Sequence, residues 1–249
     1  MSVDMDAYGR QFLEDYENGD FEVILTKYRK KKMREILQRY STRRMLEIGC
    51  GMEPFFLSYG DFDYMAVVEP ADIMFQRAER YRQESEKNIE CIYGFVEDKV
   101  DELQGKDFDF ILLAGLIHEV EDVDRLMNSV RRICPEHGHV LITTNNPHSF
   151  HLTLAYESGI IPHLGLLTDK AKSFQRHRTF TMEEMKQLIC KHGFSVVEEG
   201  ACFVKPFAHS QMKALLDNHI ITEAVLDGLD KMVKYIPELG AENYCVVRP

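Results

Sequence analysis

The chain has 249 residues, enough to bury one substantial hydrophobic core. Its formal net charge of -11 disfavours nucleic acid as a substrate or partner, because a broadly acidic surface repels phosphate groups. No apolar run of the sequence approaches the roughly 18 residues that a membrane-spanning helix needs, and the polar N-terminus is unlike a signal peptide. We therefore expect a cytoplasmic protein with no integral membrane segment.

Two helices are predicted near the N-terminus, over residues 8–18 and 26–39, because apolar residues recur there at spacings of three and four. A dense basic run between Lys27 and Arg34 falls in the second helix. Such a run is typical of the solvated face of a helix, and we interpret it in that way. Residues 1–42 are therefore predicted to form a helical cap.

Strands and helices then alternate along the chain, which predicts a parallel sheet with helices on both faces. The run 108–115 is almost wholly apolar and suits a strand that is buried on both faces. Asp72 is predicted to cap a helix that runs towards Ser85, and another helix is predicted over 122–133. The first five predicted strands are 45–49, 64–69, 89–94, 108–115 and 139–145.

The alternation breaks in the segment 147–180, which is rich in histidine and contains proline and glycine. We predict a partly helical insertion there, placed as a lid. Thr181 and Glu184 are spaced as a capping box for the next helix. Strands over 194–203 and 243–248 bring the total to seven. We expect a single domain over 1–249, in which 43–146 form the core and 181–249 complete the sheet.

Six cysteines and one His-x-x-His pair are the candidates for disulfide or metal sites. No two cysteines form a C-x-x-C pair, and several lie in apolar runs, as reduced core cysteines do. His148 and His151 lie three residues apart, a spacing that places two side chains on one helical face. No third ligand has a supporting spacing, so we predict no metal site.

A glycine turn, Glu47-Ile48-Gly49-Cys50-Gly51, directly follows the first predicted strand. Glycine adopts backbone angles that other residues resist and lets a ligand approach the main chain. Pro54 stands where the fingerprint of dinucleotide sites has its third glycine, which disfavours a nicotinamide dinucleotide. Glu69, at the end of the second strand, can accept hydrogen bonds from both hydroxyls of a ribose. Acidic lining suits S-adenosylmethionine (SAM), which carries a sulfonium and an ammonium but no phosphate.

The segments LEIGCG, VVEP and DFDFILLAGLIHEVED resemble motifs of the class I SAM-dependent methyltransferases. The resemblance covers residues 43–146 and implies a Rossmann-like α/β fold, with a mostly parallel seven-stranded sheet, flanking helices and a reversed final hairpin. It implies SAM as cofactor and S-adenosyl-L-homocysteine as product. Gly49 and Gly51 would approach the methionine part of SAM, Glu69 would hold the ribose, and Ala114 would offer its carbonyl to the methionine amine. The implied cofactor-binding residues are Glu47, Gly49, Gly51, Glu69, Pro70, Val96, Glu97 and Ala114.

His118 follows the fourth predicted strand, at a point that faces the methyl group in this fold. We interpret it as a general base or as a group that orients the methyl acceptor. The alternative is a histidine bonded to the backbone at a helix start. Asn145 lies at the carboxyl end of the fifth strand, where open α/β folds bind ligands. With His148, His151 and Arg178, it is predicted to bind the acceptor; for Arg178 a surface ion pair is the alternative.

The acceptor itself is suggested by a second resemblance. The stretch NNPHSFHLTLAYESGIIPHLG and the later FVKPF are similar to methyltransferases associated with bacterial surface-polysaccharide synthesis. That similarity implies O-methylation of a sugar or another small polar group of a capsule. Methylation of a quinone, a lipid precursor or another small metabolite, and SAM binding without catalysis, are the alternatives. We expect a small-molecule or glycan acceptor and a monomer or homodimer.

Overall fold

A computed structural model gives the structure of the protein and describes residues 4–167 and 178–249. The part of the predicted insertion that spans 168–177 lies outside the described residues. The strands are β1 Arg44–Ile48, β2 Tyr64–Glu69, β3 Ile89–Tyr93, β4 Phe110–Ala114, β5 His139–Asn145, β6 Ser195–Cys202 and β7 Glu242–Arg248. The helices are α1 Met5–Glu17, α2 Phe21–Leu37, α3 Asp72–Gln83, α4 Val100–Leu103, α5 Val123–Ile133, α6 Phe150–Glu157, α7 Met182–Lys191, α8 His209–Asp217 and α9 Glu223–Lys231.

The seven strands form one sheet in the order β3-β2-β1-β4-β5-β7-β6. The first five strands are parallel, and β7 lies antiparallel between β5 and β6. This topology confirms the predicted Rossmann-like fold and its reversed final hairpin. The strand order reverses between β1 and β4, and ligands bind outside the carboxyl ends of strands at such a switch point.

The hydrophobic core has two layers, one on each face of the sheet. Alternate residues of one strand enter opposite layers, because side chains along a strand have a period of two. In β4, Ile111 and Leu113 join one layer, whereas Phe110 and Leu112 join the other. All four side chains are fully buried, which confirms the prediction of a strand covered on both faces.

The two N-terminal helices begin earlier than predicted, and acidic capping residues explain the difference. The side chain of Asp4 accepts a hydrogen bond from the Ala7 amide at 3.0 Å, and α1 begins at the next residue, Met5. Asp20 accepts from the Glu22 amide at 2.9 Å and starts α2. Apolar spacing does not locate such starts, because the cap side chain decides where the helix begins.

The interpretation of Asp72 as a cap is wrong. Asp72 is the first residue of α3, and the preceding position is Ala71, which has no capping side chain. Instead, Glu69 at the end of β2 accepts a hydrogen bond from the Ala71 amide at 2.9 Å. By contrast, the capping box of α7 is present as predicted, with reciprocal bonds between Thr181 and Glu184.

Helices α1 and α2 lie over the carboxyl edge of the sheet. Apolar side chains of α1, among them Tyr8 and Phe12, pack against Met52 and Met74. Gly9 is buried, and a side chain added there would meet Ile73 of α3 at an ordinary contact distance of 3.6 Å. The described part of the insertion contains α6. Among the described helices, none is long and apolar enough to cross a lipid bilayer.

Candidate functional site

A cavity of about 820 Å³ opens at the carboxyl edge of the sheet. Its walls are the segments at the carboxyl ends of β1 to β5, together with the faces of α1 and α2 that cover them. The predicted site residues that line this one cavity are Glu47, Gly49, Gly51, Glu69, Pro70, Val96, Glu97, Ala114, His118 and Asn145. The fold therefore brings together residues that are up to 98 positions apart in the sequence.

The glycine turn after β1 is held by the carboxylate of Glu69. One oxygen, Oε2, accepts from the amide of Cys50 at 2.9 Å and from that of Gly51 at 3.4 Å. Gly49 and Gly51 have φ of +75° and +59°, the left-handed region that favours glycine. A side chain added at Gly51 would meet no atom within 4 Å, so the turn leaves open space at the cavity wall.

Two buried carboxylates lie beneath this turn. Burial raises the pKa of Glu47 to about 7, although the Phe55 amide, at 3.1 and 2.9 Å from the two oxygens, and the nearby Lys30 oppose that rise. Burial also raises the pKa of Glu69, against the hydrogen bonds of the Ala71, Cys50 and Gly51 amides. A cation bound in the cavity would stabilise both ionised carboxylates, because burial deprives their charges of stabilisation by water.

His118 lies at the ends of β4 and β5. Its Nδ1 is 3.1 Å from Oγ1 of Thr144, and its Nε2 is 3.3 Å from Nδ2, the side-chain nitrogen of Asn145. Its exposed fraction is 2%, yet it belongs to the cavity wall. The carboxylate of Glu119 lies 3.7 Å from Nε2. Side chains therefore contact the imidazole at both ring nitrogens, and its role as a base stays a prediction.

Three further residues of the cavity wall, Tyr8, Tyr16 and Lys30, come from the N-terminal helices. Tyr8 donates from its hydroxyl to Glu119 at 2.5 Å, and Tyr16 donates to Glu53 at 2.7 Å. Lys30 donates to the backbone carbonyl of Glu53 at 2.6 Å. No sequence signal pairs these residues, because the partners of Tyr8 and Tyr16 are 111 and 37 positions away.

The basic run in α2 is not a solvated helix face, so that interpretation is wrong for its middle part. The side chain of Arg29 is only 16% exposed and lines the cavity. Its Nε donates to Glu242 at 2.7 Å and its Nη2 donates to Glu22 at 3.0 Å, with a second bond from Nη2 to Glu242. Lys27, at the start of the run, is exposed as expected.

The other three predicted acceptor residues are not among the described residues that line the cavity. His148 is exposed and precedes α6, so the helical spacing proposed for His148 and His151 does not apply. His151 is 3.0 Å from the Ser149 hydroxyl, and burial lowers its pKa to about 2, with Lys205 nearby acting in the same direction. Arg178 donates to the backbone carbonyl of Glu121 at 2.8 Å. Their role in acceptor binding stays a prediction.

Metal-binding geometry was sought among histidine, cysteine and acidic side chains. Within 4–167 and 178–249, no three of them are arranged to hold a metal ion. The six cysteines are all free thiols, and four of them are buried.

Residues 25–199 match the family model described as a methyltransferase domain. The chain belongs to this methyltransferase family. No curated protein matches it significantly in sequence.

Solved structures of SAM-dependent methyltransferases have the same fold. One from Thermotoga maritima, described as a possible histamine N-methyltransferase, is 18% identical, with a TM-score of 0.61, and the alignment covers 98% of this chain and 99% of that one. One from Mesorhizobium loti is 15% identical with a TM-score of 0.56, covering 88% and 96%. Phosphoethanolamine N-methyltransferase 2 of Haemonchus contortus, crystallised with SAM, is 19% identical with a TM-score of 0.56, covering 88% of this chain and 52% of that one.

The methyltransferase is a SAM-dependent enzyme, and its cavity fits that cofactor. Open space lies at Gly51, and the carboxylate of Glu69 stands at the end of β2, as a nucleoside ribose requires. Two buried carboxylates suit a ligand with a sulfonium and an ammonium. Neither the family match nor these three structures supports the resemblance to methyltransferases of surface-polysaccharide synthesis, which stays a prediction.

Proposed function

We propose that this methyltransferase methylates a hydroxyl or an amine of a small polar molecule, with His118 as the general base. A sugar is the acceptor class that the sequence resemblance suggests. The observation that carries the proposal is the continuity of the cavity, which joins the glycine turn to His118 and Asn145. Its volume of about 820 Å³ is near the upper end of ligand pockets, which leaves room for an acceptor beside SAM.

SAM supplies a methyl group on a sulfonium: the carbon–sulfur bond breaks, sulfur keeps the electron pair, and a bond forms to the oxygen or nitrogen of the acceptor. The protein must align the acceptor heteroatom with that carbon, since positioning supplies much of the rate. The acceptor proton then passes to His118. Asn145 lies beside the imidazole and on the cavity wall, and this position supports a role for Asn145 in orienting the acceptor.

The position of α1 and α2 over the cavity favours a small acceptor. Tyr8 and Tyr16 fix α1 to the loops on two sides of the site. A cavity covered by helices suits a free sugar, amine or phenol better than it suits a polymer. The proteins named above for histamine and phosphoethanolamine support including amines among the candidates.

The test measures release of S-adenosyl-L-homocysteine from the purified protein with SAM and one acceptor at a time. The panel contains glucose, a nucleotide sugar, catechol, histamine and phosphoethanolamine. With the best acceptor, we expect His118→Ala to lower kcat by about 100-fold, the usual contribution of a general base, with an unchanged Kd for SAM.

His137→Ala is the matched control, because His137 is an exposed histidine outside the cavity wall. It should retain the wild-type kcat. Wild-type turnover by His118→Ala, with SAM still bound, would contradict the proposed base.

A further inference from the structure

Glu119 lies between the proposed base and the helical cap. One carboxylate oxygen, Oε1, is 3.7 Å from Nε2 of His118, and the other, Oε2, accepts the hydroxyl proton of Tyr8 at 2.5 Å. The Glu119 side chain is only 9% exposed. All three residues line the cavity, so a row of titratable side chains runs from Tyr8 of α1 through Glu119 to His118.

We propose that Glu119 is a positioning residue for methyl transfer: fixed by Tyr8 of α1, it stabilises His118 in the protonated form that the reaction produces. This inference rests on the proposed function, in which His118 takes the acceptor proton. It adds an acidic group beside the proposed base and gives α1 a role in the reaction, beyond covering the cavity.

The burial of His118 is the first argument for this role. A positive charge on an imidazole that is 2% exposed is unfavourable unless a counter-charge is close. Thr144 and Asn145 hold the ring at its two nitrogens, but both are neutral. The carboxylate of Glu119 lies 3.7 Å from Nε2 and places a negative charge beside the ring.

The bond from Tyr8 is the second argument. A carboxylate that is not held can rotate away, and the hydroxyl of Tyr8 fixes Oε2 while Oε1 stays beside the imidazole. Tyr8 is itself placed by the packing of α1 on Met52 and Met74. Docking of α1 over the cavity therefore sets the position of Glu119, and through it the environment of His118.

A purely structural role for Tyr8 can be separated from this one, because α1 carries a matched bond. Tyr16 also donates its hydroxyl to a glutamate, Glu53, but that residue belongs to the loop after β1, in a different wall of the cavity. Tyr16→Phe removes the same group from the same helix. Its effect measures weaker docking of α1 while the bond from Tyr8 to Glu119 is kept.

The first experiment uses NMR and needs no acceptor. Protein labelled with ¹⁵N in the histidine rings is saturated with S-adenosyl-L-homocysteine, and the His118 resonances are assigned by their loss in His118→Ala. We expect Glu119→Gln to move these resonances farther than those of any of the other nine histidines. Tyr8→Phe should move them in the same direction, and farther than Tyr16→Phe does. Unmoved His118 resonances in Glu119→Gln would overturn the inference.

The second experiment uses the fastest acceptor of the panel. We expect Glu119→Gln to lower kcat about tenfold or more, with KM and the Kd for SAM nearly unchanged, and Tyr8→Phe to lower kcat more than Tyr16→Phe. Because Glu119 acts through His118, the double variant His118→Ala/Glu119→Gln should be no slower than His118→Ala alone.

The outcomes separate this inference from the proposed function. If His118→Ala is slow but Glu119→Gln is normal, or if the two losses multiply, the inference fails and the proposed base stands. If His118→Ala turns over at the wild-type rate, both fail. If Glu119→Gln does not fold, Tyr8→Phe against Tyr16→Phe decides: equal losses of kcat overturn the inference.

Discussion

Gly51 is constrained both by its backbone conformation and by the cavity beside it, and comparison with a second glycine separates the two constraints. Its φ of +59° is unfavourable for any residue with a side chain, and the space next to it belongs to the cofactor cavity. Gly105, in the turn after α4, has φ of +87° and equally open space, but it is not part of the cavity wall. The two glycines thus share the backbone constraint, but of the two only Gly51 lines the cavity.

We predict that Gly51→Ala and Gly105→Ala each lower the free energy of unfolding by about 1 kcal/mol, the usual cost of the left-handed conformation. Only Gly51→Ala should also weaken SAM binding, because its methyl group would occupy ligand space. Urea unfolding and calorimetric titration with SAM measure the two effects. Equal SAM affinity in both variants would show that the turn does not contact the cofactor.

At the scale of elements, α2 is fixed to the sheet through a buried ion pair. Arg29 reaches across to Glu242, the first residue of β7, which pairs in register with Asn145 of β5. The Glu242 side chain is 6% exposed, so it depends on Arg29 for its neutralisation. The helix that covers the cavity is thereby joined to β7, next to Asn145 of β5.

Arg29→Met is predicted to lower the free energy of unfolding by about 3 kcal/mol, because it leaves the buried carboxylate of Glu242 without its partner. Lys27→Met is the control: its ion pair with Glu223 has a lysine side chain that is 68% exposed, and its loss should cost under about 0.5 kcal/mol. Urea unfolding of both variants measures the difference. Similar losses would mean that the Arg29 pair contributes no more than a surface pair.

At the scale of the whole molecule, protonation links stability to cofactor binding. The pKa of Glu47 is raised to about 7, above its ordinary value of 4.5, chiefly by burial. The folded state therefore binds a proton that the unfolded state releases between these two values, and stability falls as pH rises through this window. A bound cation reverses the effect, because it favours the ionised carboxylate.

Without SAM, the free energy of unfolding should fall by about 1 kcal/mol between pH 6 and pH 8 through Glu47. The affinity for SAM should rise over the same interval, by no more than about tenfold per pH unit for one proton released. Thermal unfolding with and without SAM, and titrations at both pH values, measure these changes. In Glu47→Gln both dependences should flatten; if they persist, another group, such as Glu69, is responsible.

The sequence alone determined the seven-stranded sheet, its order of elements and the cofactor turn. These features have local signals: buried strands such as β4 are continuous apolar runs, and the residues at strand ends meet at one edge of a parallel sheet. For that reason Gly49, Gly51, Glu69, His118 and Asn145 could be placed near each other before any coordinates were known, and all five line the cavity.

Only the tertiary structure decided which side chains fix the helical cap over that edge. Tyr8 meets Glu119 and Arg29 meets Glu242 across separations of 111 and 213 residues, and no periodicity or spacing encodes such pairs. The basic run was expected to form a solvated helix face, yet it contains the buried Arg29. A charged side chain can be buried where a partner neutralises it. Strand ends follow from local pattern, whereas ion pairs and hydrogen bonds between distant side chains follow from how whole elements pack.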